Sequence, residues 1–243
     1  MKKIFLSIFC LFILVHVHAT IRRVGANTTP VPNIDFSYVN FQGAINAANS
    51  GDTIQVYQQL NTTQLYVYAN VDKPLKIIGF GHTLNVNTGS QIQNQIDSSS
   101  NALYSLTFAS GSAGSSVQGL NISYCSISDS NITVKRCRFK SGVIASSYNS
   151  CVTGSPFLYP IDGGSIVISA YNYNLKNITI NSCYFDKAIN ANNITYGGTF
   201  ATTNLIITNN YFNGSCQLHT GTGGQIYGVF ANNIVNYQFQ HLS

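Results

Sequence analysis

Two short stretches decide how this chain is read: INSCYF at Ile180–Phe185 and ITNNYF at Ile207–Phe212. Both follow one frame, apolar-x-x-(Cys or Asn)-x-apolar. The frame recurs as ISYCSI at Ile122–Ile127, VKRCRF at Val134–Phe139 and FANNIV at Phe230–Val235. Three copies carry a leading run: NITV from Asn131, NITI from Asn177 and NLII from Asn204. The Cys/Asn position returns after 46 residues (137 to 183), 27 (183 to 210) and 23 (210 to 233). A period near 23, with 46 as two periods, predicts coils of very short strands stacked as a solenoid. Asn, Gly and β-branched residues throughout exclude a helical repeat. The 12-residue gap from Cys125 to Cys137 is half a period and predicts neighbouring faces of one coil.

In such a stack each strand lies about 4.8 Å from the next, and side chains alternate in and out. Ile132 and Val134, Ile178 and Ile180, and Leu205 and Ile207 are then the inward pairs. The turn after them needs a side chain that satisfies backbone groups inside the stack. Asn does so, and Cys fills the same place as a small buried hydrophobe. Cys125, Cys137, Cys183, Asn210 and Asn233 are therefore read as one structural ladder. The rival reading is a Cys137–Cys183 disulfide. Two coils of separation stand against it, unless 141–165 is an excursion from a single coil. Gly154, Pro156, Pro160 and Gly163-Gly164 mark that stretch as loop-bearing.

Composition fits the repeat. Only 8% of the 243 residues are charged, with no Glu and no Trp, while 28 Asn, 26 Ser and 19 Thr supply the polar surface. A coiled coil or helical bundle would be rich in Ala, Glu, Lys and Leu. A 44% hydrophobic and 12% aromatic content buries a core, which excludes disorder. The one basic cluster, Lys135, Arg136, Arg138 and Lys140, is too small for a nucleic-acid interface. Asn-x-Ser/Thr occurs at Asn27, Asn61, Asn121, Asn131, Asn177, Asn193 and Asn213. The repeat generates these triplets by itself, as turn residues entering strands.

Residues 1–19, MKKIFLSIFCLFILVHVHA, have the form of a secretory signal peptide: Lys2 and Lys3, a nearly unbroken apolar stretch from Ile4 to Val15, and a small-x-small end at Ala19. The stretch is shorter than the ~20 residues a membrane span needs. Removing it leaves ten basic and seven acidic residues and five Cys (125, 137, 151, 183 and 216). An odd Cys count closes no disulfide framework, and no Cys-x-x-Cys suggests zinc. The expectation is an exported chain, in the periplasm, at the cell surface or outside the cell. A lead-in segment spans 20–37 and one β domain spans 38–243. Within it, Phe41, Ala44, Ile45 and Ala48 lie on one face of a short helix that covers the first coil. The final alternating run, Ile234 to Ser243, carries no blunting feature. It predicts an open last coil, as in a shortened or partial solenoid or one covered by end-to-end contact.

The run FQGAINAANSGDTIQVYQQ from Phe41, then VDKPLKIIGFG from Val71, then SLTFASGSAGSSVQGLNISYCSISDSNITVKRCRF from Ser105, resembles exported proteins of the pectin-lyase-like superfamily. The resemblance covers roughly 38–235. It implies an all-β, single-stranded right-handed parallel β-helix with a short N-terminal capping helix. It says little about activity, because that superfold carries lyases, hydrolases and adhesins.

Lyases of that kind bind calcium through clustered carboxylates and use an Arg or Lys base. The glycosidases use two or three Asp. Here all seven acidic residues are dispersed Asp: 35, 52, 72, 97, 129, 162 and 186. Most occupy turn-like contexts. Asp162 and Asp186 with Arg138 are the catalytic candidates, on a 24-residue spacing (138, 162, 186) that one coil would bring together. Only this alternative calls for calcium. No other cofactor or metal is expected. The competing surface is aromatic: Tyr171, Tyr173, Tyr184 and Tyr211, where rings would stack on sugars and amides would bond hydroxyls. The expected function is a non-catalytic β-helix protein binding polysaccharide. The alternatives are a polysaccharide lyase or glycosidase, and a structural or adhesive solenoid.

Overall fold

The computed structural model describes residues 19–25, 34–57, 67–79, 103–139, 165–185, 194–214, 216–219, 225–236 and 239–242. They form an all-β architecture with one short helix, α1 (Phe41–Ala47), preceded by a single 3-10 turn. The strands make two sheets, of nine and eleven strands, and every pairing is parallel. Parallel neighbours cannot be joined by a hairpin. From Thr53 on the chain alternates between the two sheets, adding one strand to the nine-stranded sheet and one or two to the eleven-stranded sheet at each pass.

Register shows how the passes stack. In the nine-stranded sheet Ile54, Ile77, Val117, Val134, Ile180, Ile207 and Phe230 are successive partners. Their separations are 23, 40, 17, 46, 27 and 23 residues. A single period therefore does not hold. The 46-residue interval is one pass, not two, because Thr179 pairs directly with Thr133. Most of the added length falls at 140–164, outside the described residues.

The eleven-stranded sheet forks at the strand Asn121–Ile127. Its Asn121 and Ile122 pair with Arg138 and Phe139, while Tyr124 to Ile127 pair with Ser165 to Ile168. One branch carries Phe139, Phe185 and Phe212 inward. Their rings stack at 4.7 and 4.6 Å with interplanar angles of 10° and 22°. Aromatic stacking of this kind adds about 0.5–1.5 kcal/mol per pair beyond the area buried.

Helix α1 forms because Phe41, Ala44 and Ile45 recur at helical spacing and bury against the first strands. Its last carbonyls are met by Lys73, whose Nζ donates to Ile45, Asn46 and Ala48 at 3.3, 3.5 and 3.3 Å. A cation there also opposes the helix dipole. Gln42 closes an edge: its amide accepts from Asn70 N at 2.7 Å and donates to Asn70 O at 3.2 Å. Among the described residues the strand Tyr68–Val71 pairs only with Leu103–Phe108, and Gln42 bonds its other edge.

Candidate functional site

At the corner where the chain leaves the nine-stranded sheet, one residue takes the left-handed conformation: Arg136, Ser182, Asn209 and Asn232, with φ of 50°, 54°, 57° and 55°. The next residue turns inward: Cys137, Cys183, Asn210 and Asn233. Each reaches the carbonyl of an inward residue one rung back. Cys137 Sγ is 4.0 Å from Val117 O and Cys183 Sγ is 3.8 Å from Val134 O. Asn210 Nδ2 donates to Ile180 O at 3.0 Å and Asn233 Nδ2 to Ile207 O at 2.8 Å. The amides also accept: Asn210 Oδ1 from Cys183 N at 2.8 Å, and Asn233 Oδ1 from Asn210 N at 2.9 Å.

Cys125 does not belong to this column. It lies within a strand of the eleven-stranded sheet, between Leu106 and Ile166. The frame ISYCSI matches because Ile122 and Cys125 are both buried, three residues apart. Cys137 and Cys183 sit on adjacent rungs, with Tyr184 N donating to Cys137 O at 3.0 Å. Both are nonetheless free thiols, as are Cys125 and Cys216. Burial pushes the Cys137 thiol up to about 11 and that of Cys216 up to about 12.

The residue after each column member points out. These are Arg138, Tyr184, Tyr211 and Ile234, successive register partners on one branch. The Tyr184 and Tyr211 rings stack at 5.1 Å, 2° from parallel. The Arg138 guanidinium lies 5.5 Å from the Tyr184 centroid, on the rung opposite Tyr211. Ile234, 59% exposed, occupies the rung beyond Tyr211. Asn236 Nδ2 donates to the Tyr211 hydroxyl at 2.7 Å and to Asn213 Oδ1 at 3.2 Å. The two rings spend faces on each other and on Arg138. Both rings are half-buried and the Tyr211 hydroxyl is engaged, where the sequence reading expects faces open to sugar.

Tyr171 and Tyr173 lie apart from this row, in the bend between Ser165–Ala170 and Leu175–Asn181. Tyr171 is exposed. Tyr173 is tied down: its hydroxyl donates to Ser128 O at 2.5 Å, and its ring packs on the core.

Asp162 and Asp186, two of the three catalytic candidates, lie outside the described residues. The third, Arg138, has Asn121 and Tyr184 as its register neighbours. The four described carboxylates organise backbone or sit at the surface. Asp52 accepts from Thr20 N and Asn49 N at 2.8 and 2.9 Å and lies 3.7 Å from Arg22. Burial raises its pKa, but those two N–H groups and the guanidinium outweigh it and hold the carboxyl below its ordinary value. Asp129 accepts from Gly111, Ala113 and Ser130 N–H groups at 2.8, 3.0 and 2.7 Å. Asp35 accepts from Arg23 N at 2.7 Å, and exposed Asp72 lies 3.8 Å from Lys73.

Among the described residues no group of three or more His, Cys, Asp or Glu is placed to hold a metal ion. None of the described helices is long and apolar enough to cross a membrane. The exposed amides of Asn131, Asn177 and Asn204 form a second column: Asn177 Nδ2 donates to Asn131 Oδ1 at 2.7 Å and Asn204 Nδ2 to Asn177 Oδ1 at 2.8 Å. All three are left-handed, with φ of 59°, 57° and 55°. Two of the seven Asn-x-Ser/Thr triplets are thus turn positions with engaged side chains. Comparison of the chain with protein-family models, with curated proteins and with solved structures gives no match.

Proposed function

We propose that this is an exported protein whose two sheets wind as a single-stranded right-handed parallel β-helix of the pectin-lyase-like kind, and that it binds polysaccharide without cleaving it. In-register stacking of inward residues supports the winding, and the right hand is general for parallel crossovers. The leader-like residues 1–19 support export.

The binding reading is carried by the row Arg138, Tyr184 and Tyr211, flanked by Asn236. A guanidinium and two phenol groups repeat at about the 4.8 Å strand spacing. An extended sugar chain lying along the stack offers hydroxyls at a similar repeat, and the row meets them edge-on with hydrogen-bond donors and acceptors. The non-catalytic part draws on Asp52 and Asp129, whose oxygens are engaged by backbone N–H groups.

Affinity electrophoresis through gels containing neutral or acidic polysaccharides tests the binding, with a parallel assay for unsaturated uronate and reducing ends. Retarded migration in at least one gel, without product release, is the expected outcome. Unretarded migration in every gel refutes binding and leaves the structural or adhesive solenoid. Product release makes the chain a lyase or glycosidase.

A further inference from the structure

The outer face of the nine-stranded sheet has no part in the row of Arg138, Tyr184 and Tyr211. Inward residues of its strands alternate with outward ones, and the outward ones stack in register. One outward row runs Lys76, Ser116, Thr133, Thr179, Ile206 and Val229. The other, two residues further along each strand, holds Lys135 between Gln118 and Asn181. Lys76 and Lys135 stand two rungs apart, about 9.6 Å along the stack. Arg136 and Lys176 occupy the corners that bound the face: Arg136 is itself left-handed, and Lys176 precedes left-handed Asn177. All four cations are exposed.

Charge on this face is one-sided. From the rung of Lys76 to that of Val229 neither row holds a carboxylate. Among the described residues the four cations form no ion pair. The nearby carboxylates are otherwise engaged: Asp129 is buried on three backbone N–H groups, and Asp72 lies beside Lys73 in the connection before Lys76. Asp35 accompanies Arg23 at the opposite end of the sheet. Towards the other end the row turns aliphatic. Val229 is 54% exposed, next to half-buried Ile206, and Tyr227 on the same strand is 54% exposed.

A basic surface free of carboxylates attracts polyanions of any kind. The aliphatic end narrows the choice. A soluble sugar polymer gains little from valine and isoleucine. A lipid surface offers phosphates to the cations and an acyl boundary to the aliphatic side chains. We propose that the outer face of the nine-stranded sheet docks on an anionic lipid bilayer, with Lys76, Lys135, Arg136 and Lys176 on headgroup phosphates and Ile206 and Val229 at the acyl boundary. The contact is peripheral. It does not rest on the Arg138, Tyr184 and Tyr211 row, which lies past the Arg136 corner on the other sheet.

Vesicle flotation tests this, using the whole chain with phosphatidylcholine vesicles and with vesicles of phosphatidylcholine and phosphatidylglycerol. Residues 1–19 are common to every variant, so their own affinity for lipid cancels between variants. The wild type should float with the anionic vesicles and lose that preference as salt is raised. The triple variant Lys76→Gln, Lys135→Gln, Lys176→Gln should bind them about a hundredfold more weakly, at about fivefold per charge. Thr179→Lys adds a cation between the rungs of Lys135 and Ile206. It should tighten binding about fivefold, and it serves if the triple variant fails to fold. Val229→Ser should weaken flotation about threefold without changing retention in a gel containing dextran sulfate. Equal flotation of the wild type with both vesicle types overturns the inference. So does unchanged flotation of the folded triple variant or of Thr179→Lys. Retention by dextran sulfate without flotation assigns the face to a soluble polyanion and overturns it as well.

Discussion

The inward column has two halves built from different chemistry. In Asn210 and Asn233 an amide both donates and accepts, with bonds of 2.8–3.0 Å. In Cys137 and Cys183 the thiol is 4.0 and 3.8 Å from the equivalent carbonyl and nearer, 3.4 Å in both, to the carbonyl two residues back, of Lys135 and Asn181. Thiols are weak donors and weak acceptors, so this half is held by apolar packing and the other by hydrogen bonds. Each column residue is followed at once by a member of the outward row: Cys137 by Arg138, Cys183 by Tyr184, Asn210 by Tyr211. The column therefore fixes the register of the surface to which binding is assigned.

The largest effect is expected at the joint of the two halves. Asn210→Ala leaves the buried Cys183 N–H and Ile180 C=O without their partners. At about 1–3 kcal/mol for each orphaned group, a loss of about 2–4 kcal/mol is expected in urea unfolding. A loss under about 1 kcal/mol would break the distinction between the halves. Asn233→Ala removes bonds to Asn210 N, Asn210 Nδ2 and Ile207 O at a half-buried position, and about 1–2 kcal/mol is expected there.

Cys183→Ala should cost about 1 kcal/mol, the value of a small apolar group lost from a packed site. Cys183→Asn sharpens the contrast further. An amide at that place reaches Val134 O and Cys137 N as its counterparts do one and two rungs on, and a gain of about 1 kcal/mol is expected. A loss of similar size would show that the thiol half is too tightly packed to accept it.

The remaining effect is in pH. The native Cys137 thiol keeps its proton up to about 11. The unfolded thiol releases it near the ordinary value of about 8.5. Its contribution is therefore complete below that value and is lost as pH rises through the native one. Unfolding midpoints should fall between those limits. The fall should be shallower in the double variant Cys137→Ala, Cys183→Ala, and an identical slope would remove the thiols as its cause.

The all-β class, the capping helix and the Cys/Asn column were legible because each rests on local chemistry. Phe41, Ala44 and Ile45 make a helix face within one turn, and a left-handed corner announces itself by the residues that tolerate it. That same signal separates Cys125 from the column. Arg136, Ser182, Asn209 and Asn232 precede true members, whereas Tyr124 precedes Cys125, and a bulky ring is poorly suited to positive φ. The tyrosine surface was less legible. Whether two rings share a face, stack or leave a gap depends on rung adjacency, and passes of 17 to 46 residues hide adjacency from any constant spacing. Tyr68 and Tyr124 come to one sheet face only through the strand that lies between them. The Tyr-Ser-Tyr order exists only across strands.

The central claim is that the Arg138 row recognises polysaccharide by its edges. The decisive comparison is affinity electrophoresis of the wild type against Tyr184→Phe, Tyr211→Phe, in the gel that retards the wild type most. Phenylalanine preserves the stacked rings and removes only the two hydroxyls. Loss of most of the retardation is the expected result. Full retardation, with Tyr184→Ala, Tyr211→Ala losing it, would show that the ring faces bind and would contradict the account.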